Sequence, residues 1–271
     1  MPFADVNAVR LYYEEQGVGE PLICIQGLAT DHLAWALQVP AFAARHRTVV
    51  FDNRDVGQSS RLGTPYRVAD MARDTLALAD HLELEEYHLL GVSMGGAIAQ
   101  HAALAAPERI KTLTLGVTWA GSGAYALEKT RLWALEAERF SRDEFIDSLM
   151  LVNFSEAFYE NPEAVAFIRH TIRDNPHPQE PAAFRRQAEA SATHDLRGRL
   201  ATLTMPVHVI AGEHDVVLPH WKSEELAAEI PGARLTVVPR APHGLNIERA
   251  EEFNTAVLGF IAEHSGAPAP V

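Results

Sequence analysis

The first half of the chain alternates between short apolar runs and longer segments with helical spacing. Apolar runs at 22–25, 48–51 and 87–90 are bounded by turn residues, which is typical of buried strands. Between the last two runs, apolar residues from 68 to 82 recur with a period near 3.6 residues, which predicts an amphipathic helix. Such regular alternation indicates a parallel sheet that is covered by helices on both faces. The segment around Asn7 predicts an N-terminal hairpin added to that sheet.

The pattern changes after the apolar run 112–117, which also predicts a strand. From 121 to 200 only helical spacing is found, and several prolines divide this region into short helices. The alternation resumes with apolar runs at 207–210 and 235–238, and an apolar helix follows them. The chain therefore returns to the same sheet after a long helical segment.

This pattern predicts one core domain and one inserted cap. We expect residues 1–120 and 201–271 to form the core, and residues 121–200 to form an all-helical cap, or lid. The short low-complexity tail at 265–270 is expected to be a frayed end. The fold class expected is therefore α/β.

Composition restricts the classes of function. The chain has 271 residues, of which 47% are hydrophobic and 22% charged, as in ordinary globular proteins. Its formal charge of −13 argues against nucleic acid as a partner, because phosphate binding needs clustered Lys and Arg. No apolar run approaches the ~20 residues that cross a bilayer, and the N-terminus does not resemble a signal peptide. We therefore expect a cytoplasmic protein with no membrane partner.

The sequence contains no motif that indicates a cofactor or a metal site. Cys24 is the single cysteine, which excludes an intrachain disulfide and a cysteine-based metal site. We find no dinucleotide fingerprint, no phosphate-binding loop and no cluster with metal-ligand spacing. The sequence therefore predicts neither a cofactor nor a metal.

The strongest chemical signal is the segment 91–96, GVSMGG, which matches G-x-S-x-G. It follows a predicted strand and precedes an alanine-rich helix, so Ser93 lies on a tight strand-to-helix turn. Such a turn strains the serine backbone and needs the small neighbours Gly91 and Gly95. It would expose the serine hydroxyl beside a helix N-terminus, which favours developing negative charge. Ser93 is the candidate nucleophile; the alternative is a purely structural glycine turn.

On this motif and its strand–turn–helix context, the chain resembles the α/β-hydrolase family over essentially its whole length. The resemblance implies a mostly parallel sheet flanked by helices, with an all-helical cap inserted after the strand that follows the nucleophile helix. It also implies the chain order nucleophile, acid, base for the catalytic residues.

A serine needs a base, and thirteen histidines compete for that role. His243 follows the last predicted strand, where the family places its base. His214 and His220 flank the expected acid loop and are the serious rivals. The position in the chain favours His243.

The orienting acid is expected in the loop 211–219, which follows the penultimate strand and resembles the acid loop of the family. Asp215 is the favoured residue, and Glu213 is the fallback. Some relatives take the acid from the loop after the preceding strand, but residues 119–123 contain no carboxylate. The resulting order of nucleophile, acid and base is that of the family.

Two backbone N–H groups are expected to bind the oxyanion of a tetrahedral intermediate. One is that of Met94, directly after the nucleophile, and by resemblance the other is that of Leu28. The family commonly has His-Gly in the second loop, where this chain has Gln26-Gly27. An amide must therefore replace the imidazole that braces the loop. The alternative interpretation is an ordinary strand-to-helix turn.

The segment 52–59 resembles the D-x-R-G-x-G-x-S loop of the family, with Asp55 where glycine is usual. We interpret it as a structural turn beside the site. Asp52 and Asp55 both precede the serine, so the chain order argues against either as the acid.

The substrate pocket is expected to be apolar, because aromatic residues are frequent in the cap and most small-molecule sites are apolar. The candidate pocket residues are Gln26, Trp119, Phe140 and Phe154.

The favoured function is a serine hydrolase that cleaves an ester or lactone of a small, partly apolar molecule through an acyl-enzyme. The 3-oxoadipate enol-lactonase group and many carboxylesterases have the same general layout. The first alternative is a hydrolase of carbon–carbon bonds, or a cofactor-free perhydrolase, on the same triad. The second is a ligand-binding signalling protein that keeps the fold, because one fold supports many functions.

Overall fold

A computed structural model describes residues 2–265, so the predicted frayed tail lies, after Ser265, outside the described residues. Within them, eight strands form one sheet in the order β1-β2-β4-β3-β5-β6-β7-β8. The strands are β1 (Phe3–Val6), β2 (Val9–Gln16), β3 (Pro21–Ile25), β4 (Arg47–Phe51), β5 (Tyr87–Val92), β6 (Ile110–Gly116), β7 (Val207–Gly212) and β8 (Arg234–Val238). The β1–β2 and β2–β4 pairs are antiparallel, and all other pairs are parallel. The mostly parallel sheet and its N-terminal hairpin are confirmed.

Helices cover both faces of the sheet. They are α1 (Val39–Ala43), α2 (Val68–His81), α3 (Met94–Ala105), α4 (Ala124–Arg139), α5 (Arg142–Asn153), α6 (Glu156–Tyr159), α7 (Pro162–Arg173), α8 (Pro181–Ala192), α9 (Trp221–Glu229), α10 (Leu245–Glu248) and α11 (Ala250–His264). Successive residues of a strand point to opposite faces. Ile23 packs in one apolar cluster with Met71 and Ile98, whereas Cys24 packs in a second cluster with Phe253. Because the strands are buried on both faces of the sheet, their sequences are continuous apolar runs.

The helices α4–α8 lie between β6 and β7 in the chain, and we call them the insert. Pro162 and Pro181 are the first residues of α7 and α8, where the missing N–H costs nothing. An isolated antiparallel bridge between Gly121 and Asp195 joins the two ends of the insert. The predicted helical content of this region is confirmed, while its division from the core as a separate cap stays a prediction.

Parallel strands place their carboxyl ends at one edge of the sheet, where ligands of such folds bind. The loops that follow β3, β5, β7 and β8 meet at this edge, and they carry the residues singled out in the sequence. In the part of the chain that is described, no helix is both long enough and apolar enough to cross a membrane.

Candidate active site

Ser93 occupies a strained turn between β5 and α3. Its φ of 57° and ψ of −122° lie where side chains are rarely tolerated. A Cβ on Gly91 would lie 2.2 Å from the carbonyl oxygen of Gly95, and one on Gly95 would lie 2.1 Å from that of Ile25. Both positions therefore require glycine, as the motif predicts.

The structure brings the three predicted side chains into one hydrogen-bonded chain. Ser93 Oγ and His243 Nε2 are 3.0 Å apart, and His243 Nδ1 is 2.7 Å from Asp215 Oδ2. The other carboxylate oxygen accepts from the backbone N–H groups of Val217 and Leu218, at 2.8 and 2.7 Å. An ionised carboxylate only accepts, so Nδ1 donates to it and Nε2 is left to accept from the serine hydroxyl.

Close packing of backbone holds the histidine loop in place. A Cβ on Gly212, at the end of β7, would lie 2.5 Å from the carbonyl oxygens of Ala241 and Pro242. On the other side, Gly244 N–H donates to the Asn153 carbonyl of the insert at 2.7 Å. The loop that carries His243 therefore contacts both the sheet and the insert.

The rival candidates lie away from the serine. The Glu213 carboxylate accepts from the backbone N–H of Arg240 at 2.8 Å, on the surface. His214 is exposed, and His220 Nδ1 lies 3.1 Å from the backbone carbonyl oxygen of Glu213. None of the three contacts Ser93 or His243 through a hydrogen bond in the described chain.

The loop after β3 passes directly beside the serine, because a Cβ on Gly27 would lie 3.1 Å from that of Ser93. Gln26 Oε1 accepts from Gly27 N–H at 3.2 Å and from the Thr30 hydroxyl at 3.3 Å, so an amide does brace this loop. Among residues 2–265, the N–H groups of Leu28 and Met94 donate to no protein acceptor. Both predicted oxyanion donors are thus free to bind another group, and their role stays a prediction.

Gln187, on α8, contacts the same loop and was not singled out in the sequence. Its Oε1 accepts from Ala29 N–H at 3.2 Å, across 158 residues of chain. A glutamine in a helical stretch carries no motif, so no sequence signal could have found it.

The predicted pocket residues take different environments. Trp119 is buried, and its indole N–H donates to the Ser122 hydroxyl at 3.0 Å. Phe154 is buried and stacks on Phe158 with ring centroids 4.3 Å apart. Phe140 is the C-cap residue that follows α4 and is 45% exposed, and it belongs to none of the apolar clusters of the described residues. Their contact with a substrate stays a prediction.

Lys129, on α4, brings a cationic group close to the acid loop. Its Nζ donates to the Val217 carbonyl and lies 5.2 Å from the centre of the Trp133 ring. Burial lowers the pKa of Lys129, while the nearby Asp215 charge acts in the opposite direction. The insert therefore contacts the acid loop through a partly desolvated lysine.

Asp52 directly follows β4, begins the segment interpreted as a structural turn, and binds the adjoining loops. Its Oδ1 accepts from His32 N–H and lies 2.7 Å from His32 Nδ1, and its Oδ2 accepts from Gln58 N–H. Asp31 lies close enough for the three side chains to face one ion, but its oxygens accept from Leu33 N–H and Asn175 Nδ2. Because every carboxylate oxygen already accepts a hydrogen bond, we interpret the group as a brace.

Asp55 occupies the left-handed region with φ of 70°, a conformation that glycine adopts more readily than residues with a Cβ. Its buried carboxylate forms a two-pronged ion pair with Arg186 of α8, at 2.7 and 2.9 Å. The loop is thus a structural turn that also attaches the insert.

Comparison with known proteins agrees with this arrangement. A family model described as the alpha/beta hydrolase fold matches residues 20–250. A protein of Azorhizobium caulinodans with the provisional name carbamate hydrolase RutD is 30% identical over 270 residues, covering 97% of this chain and 99% of the relative. The solved enol-lactonase of Burkholderia xenovorans is 28% identical with a TM-score of 0.88, covering 96% of this chain and 100% of that chain. A thermophilic esterase of Thermogutta terrifontis is 26% identical with a TM-score of 0.86, covering 97% and 98% of the two chains. The chain belongs to the α/β-hydrolase family and is a hydrolase.

Proposed function

We propose that this protein hydrolyses a carboxylic ester or lactone of a small, partly apolar molecule through an acyl-enzyme on Ser93. The observation that carries the proposal is the continuous hydrogen-bonded chain from Ser93 Oγ through His243 to Asp215. An alcohol is a poor nucleophile at neutral pH, and a base held by an acid is the arrangement that activates it.

In the first half of the reaction, Ser93 Oγ attacks the acyl carbonyl carbon and its proton moves to His243 Nε2. The carbonyl oxygen becomes an oxyanion, to which the free N–H groups of Leu28 and Met94 donate. Asp215 stabilises the imidazolium that forms. The carbon–oxygen bond to the leaving group then breaks, and His243 returns the proton to the alkoxide. An acyl-enzyme remains; the alcohol of an open ester leaves, whereas that of a lactone stays attached to the acyl group.

In the second half, a water molecule is the nucleophile. His243 accepts a proton from this water as its oxygen attacks the acyl carbon. The bond to Ser93 Oγ breaks and the serine recovers its proton from His243. The carboxylic acid leaves, and for a lactone the product is a single hydroxy acid, because acid and alcohol belong to one molecule.

The relatives support attack on an acyl carbonyl. The solved neighbours are named an enol-lactonase and an esterase, and a lactone and an ester both present an acyl carbonyl. The relative with the provisional name carbamate hydrolase widens the panel that must be tested, because a carbamate presents a nitrogen beside the same carbonyl.

A substrate panel tests the proposal. It contains p-nitrophenyl esters of graded chain length, several lactones, a simple carbamate and a dienoic ring-fission product. We expect turnover of at least one ester or lactone, and loss of that turnover in Ser93→Ala. Ser148→Ala is the matched control, because this α5 hydroxyl binds Glu136 instead of a histidine. Turnover of the carbamate or the ring-fission product alone, or full activity of Ser93→Ala, would overturn the proposal.

A further inference from the structure

In the loop that contains Leu28, glutamine side chains bind the backbone N–H groups of the residues before and after it. Gly27 N–H donates to Gln26 Oε1, and Ala29 N–H donates to Gln187 Oε1, each at 3.2 Å. Leu28 N–H, between them, donates to no protein group among residues 2–265. The N–H groups of Gly27 and Ala29 are therefore hydrogen-bonded, and the N–H of Leu28 between them remains available to bind another group.

The environment of Gln187 fixes which end of its amide faces the loop. Its side chain is fully buried, and Nε2 donates to the Arg54 carbonyl at 2.9 Å. Oε1 accepts from Ala29 N–H and from Gln179 Nε2. A carbonyl cannot donate and an N–H cannot accept, so the reversed amide would lose both the Arg54 and the Ala29 bonds.

The loop needs this support because its backbone is strained. Ala29 has a φ of 63°, in the left-handed region, which a residue with a Cβ keeps only where its surroundings hold it there. The side chains of Leu28 and Ala29 also pack against the insert, beside Phe184 and Ala188 of α8. One apolar contact and one hydrogen bond thus reach the loop from the same helix.

We propose that Gln187 is a positioning residue, which holds the Leu28 N–H at the place where the oxyanion forms and so couples the insert to the chemical step. The proposal rests on the proposed function for its catalytic consequence. Gln187 touches no reacting atom; it acts through Ala29 and the loop. It therefore affects transition-state stabilisation more than the binding of the neutral substrate.

Kinetics with p-nitrophenyl acetate test the consequence. In Gln187→Met we expect kcat to fall about 10-fold, below the ~10²–10³ that removing an oxyanion donor costs, with KM changed by less than about threefold. Arg186→Met is the matched control, because Arg186 precedes Gln187 on α8 and pairs with Asp55 without a hydrogen bond to residues 26–30. It should reduce thermal stability and leave kcat within about threefold.

A conservative variant keeps the proposal testable if Gln187→Met folds poorly. Gln187→Glu retains an oxygen that accepts from Ala29 N–H, but it loses the donor to Arg54 when it is ionised. We expect its kcat to lie between those of the wild type and Gln187→Met. A Gln187→Glu variant as impaired as Gln187→Met would contradict the role assigned to Oε1.

Amide hydrogen exchange separates this proposal from the proposed function. Exchange of the Ala29 N–H should accelerate in Gln187→Met and stay at the wild-type rate in Arg186→Met. An unchanged rate in Gln187→Met, or equal losses of kcat in the two variants, would overturn the positioning role. If the wild type hydrolyses no ester or lactone, the proposed function fails, and the exchange rate alone decides whether Gln187 holds the loop.

Discussion

The core and the insert are stabilised in different ways. Two large apolar clusters fill the two faces of the sheet, and they include strand residues such as Leu89 and Leu90. Residues of the insert form two smaller clusters, one around Met150 and one around Phe184, and a few core side chains pack against them. Its helices also leave many large apolar side chains exposed: Tyr125, Leu127, Leu132, Phe140, Leu151, Phe167 and Ile172.

Polar contacts connect the insert to the core as well, beside the apolar contacts of Leu28 and Ala29 with α8. Arg186 pairs with Asp55, Gln187 binds two core loops, and Ser155 donates to the Glu248 carboxylate. Hydrogen bonds depend on geometry, whereas apolar burial is non-directional. Extensive apolar packing therefore sets the positions of the catalytic loops, whereas a small apolar contact and a few directional bonds hold the insert against them.

The largest effect is expected at the acid of the core. Asp215→Asn should lower turnover by a factor on the order of 10⁴, because the amide favours the wrong histidine tautomer. Steady-state kinetics on the best substrate of the panel measure this loss. Glu213→Gln, two residues away, is the control and should remain active. The reverse result would move the acid role to Glu213.

A matched pair of leucines compares the packing of the two regions. Leu78 is fully buried on α2, and Leu127 on α4 is 51% exposed. Leu78→Ala should lower the free energy of unfolding by about 2–5 kcal/mol, because it leaves a cavity. Leu127→Ala should change it by less than about 0.5 kcal/mol. Urea unfolding measures both, and equal losses would show that the insert is packed like the core.

A smaller effect concerns pH. His208 lies buried in β7, and burial lowers its pKa to about 4. In the unfolded chain His208 binds a proton near pH 6.5, whereas in the folded chain it does so only near pH 4. The free energy of unfolding therefore falls as the pH decreases from 6.5 to 4. The expected loss at pH 5 is on the order of 1–2 kcal/mol.

His208→Gln should remove that share of the pH dependence when unfolding is measured at pH 7.5 and pH 5. His170 on α7 is the control, because its side chain is 74% exposed. The effect of His208→Gln on the pH dependence should exceed that of His170→Gln. If both variants behave like the wild type, burial of His208 does not couple its protonation to folding.

The same contrast explains how much of the molecule could be predicted from the sequence. Strands buried on both faces leave continuous apolar runs, and Ser93, Asp215 and His243 each follow such a run. Their convergence was predictable because parallel strands end at one edge. Proline is also the first residue of α7 and α8, in agreement with the prediction that prolines divide this region into short helices.

The contacts of the insert could not be predicted. The bond between Gln187 and Ala29 joins residues 158 apart, and neither belongs to a motif. Phe140 is aromatic in the sequence, but its place at the end of α4 leaves it half exposed. A side chain's environment in the insert depends on how separate helices dock, which a single periodic pattern does not encode.

In the proposed reaction, Ser93 carries the acyl group during turnover. Acid quenching of the enzyme with a p-nitrophenyl ester, followed by intact mass and peptide analysis, tests it most directly. We predict one added acyl group on the peptide that contains Ser93, and none in Ser93→Ala. A rapidly hydrolysed ester with no covalent adduct, or an adduct on another residue, would contradict the account.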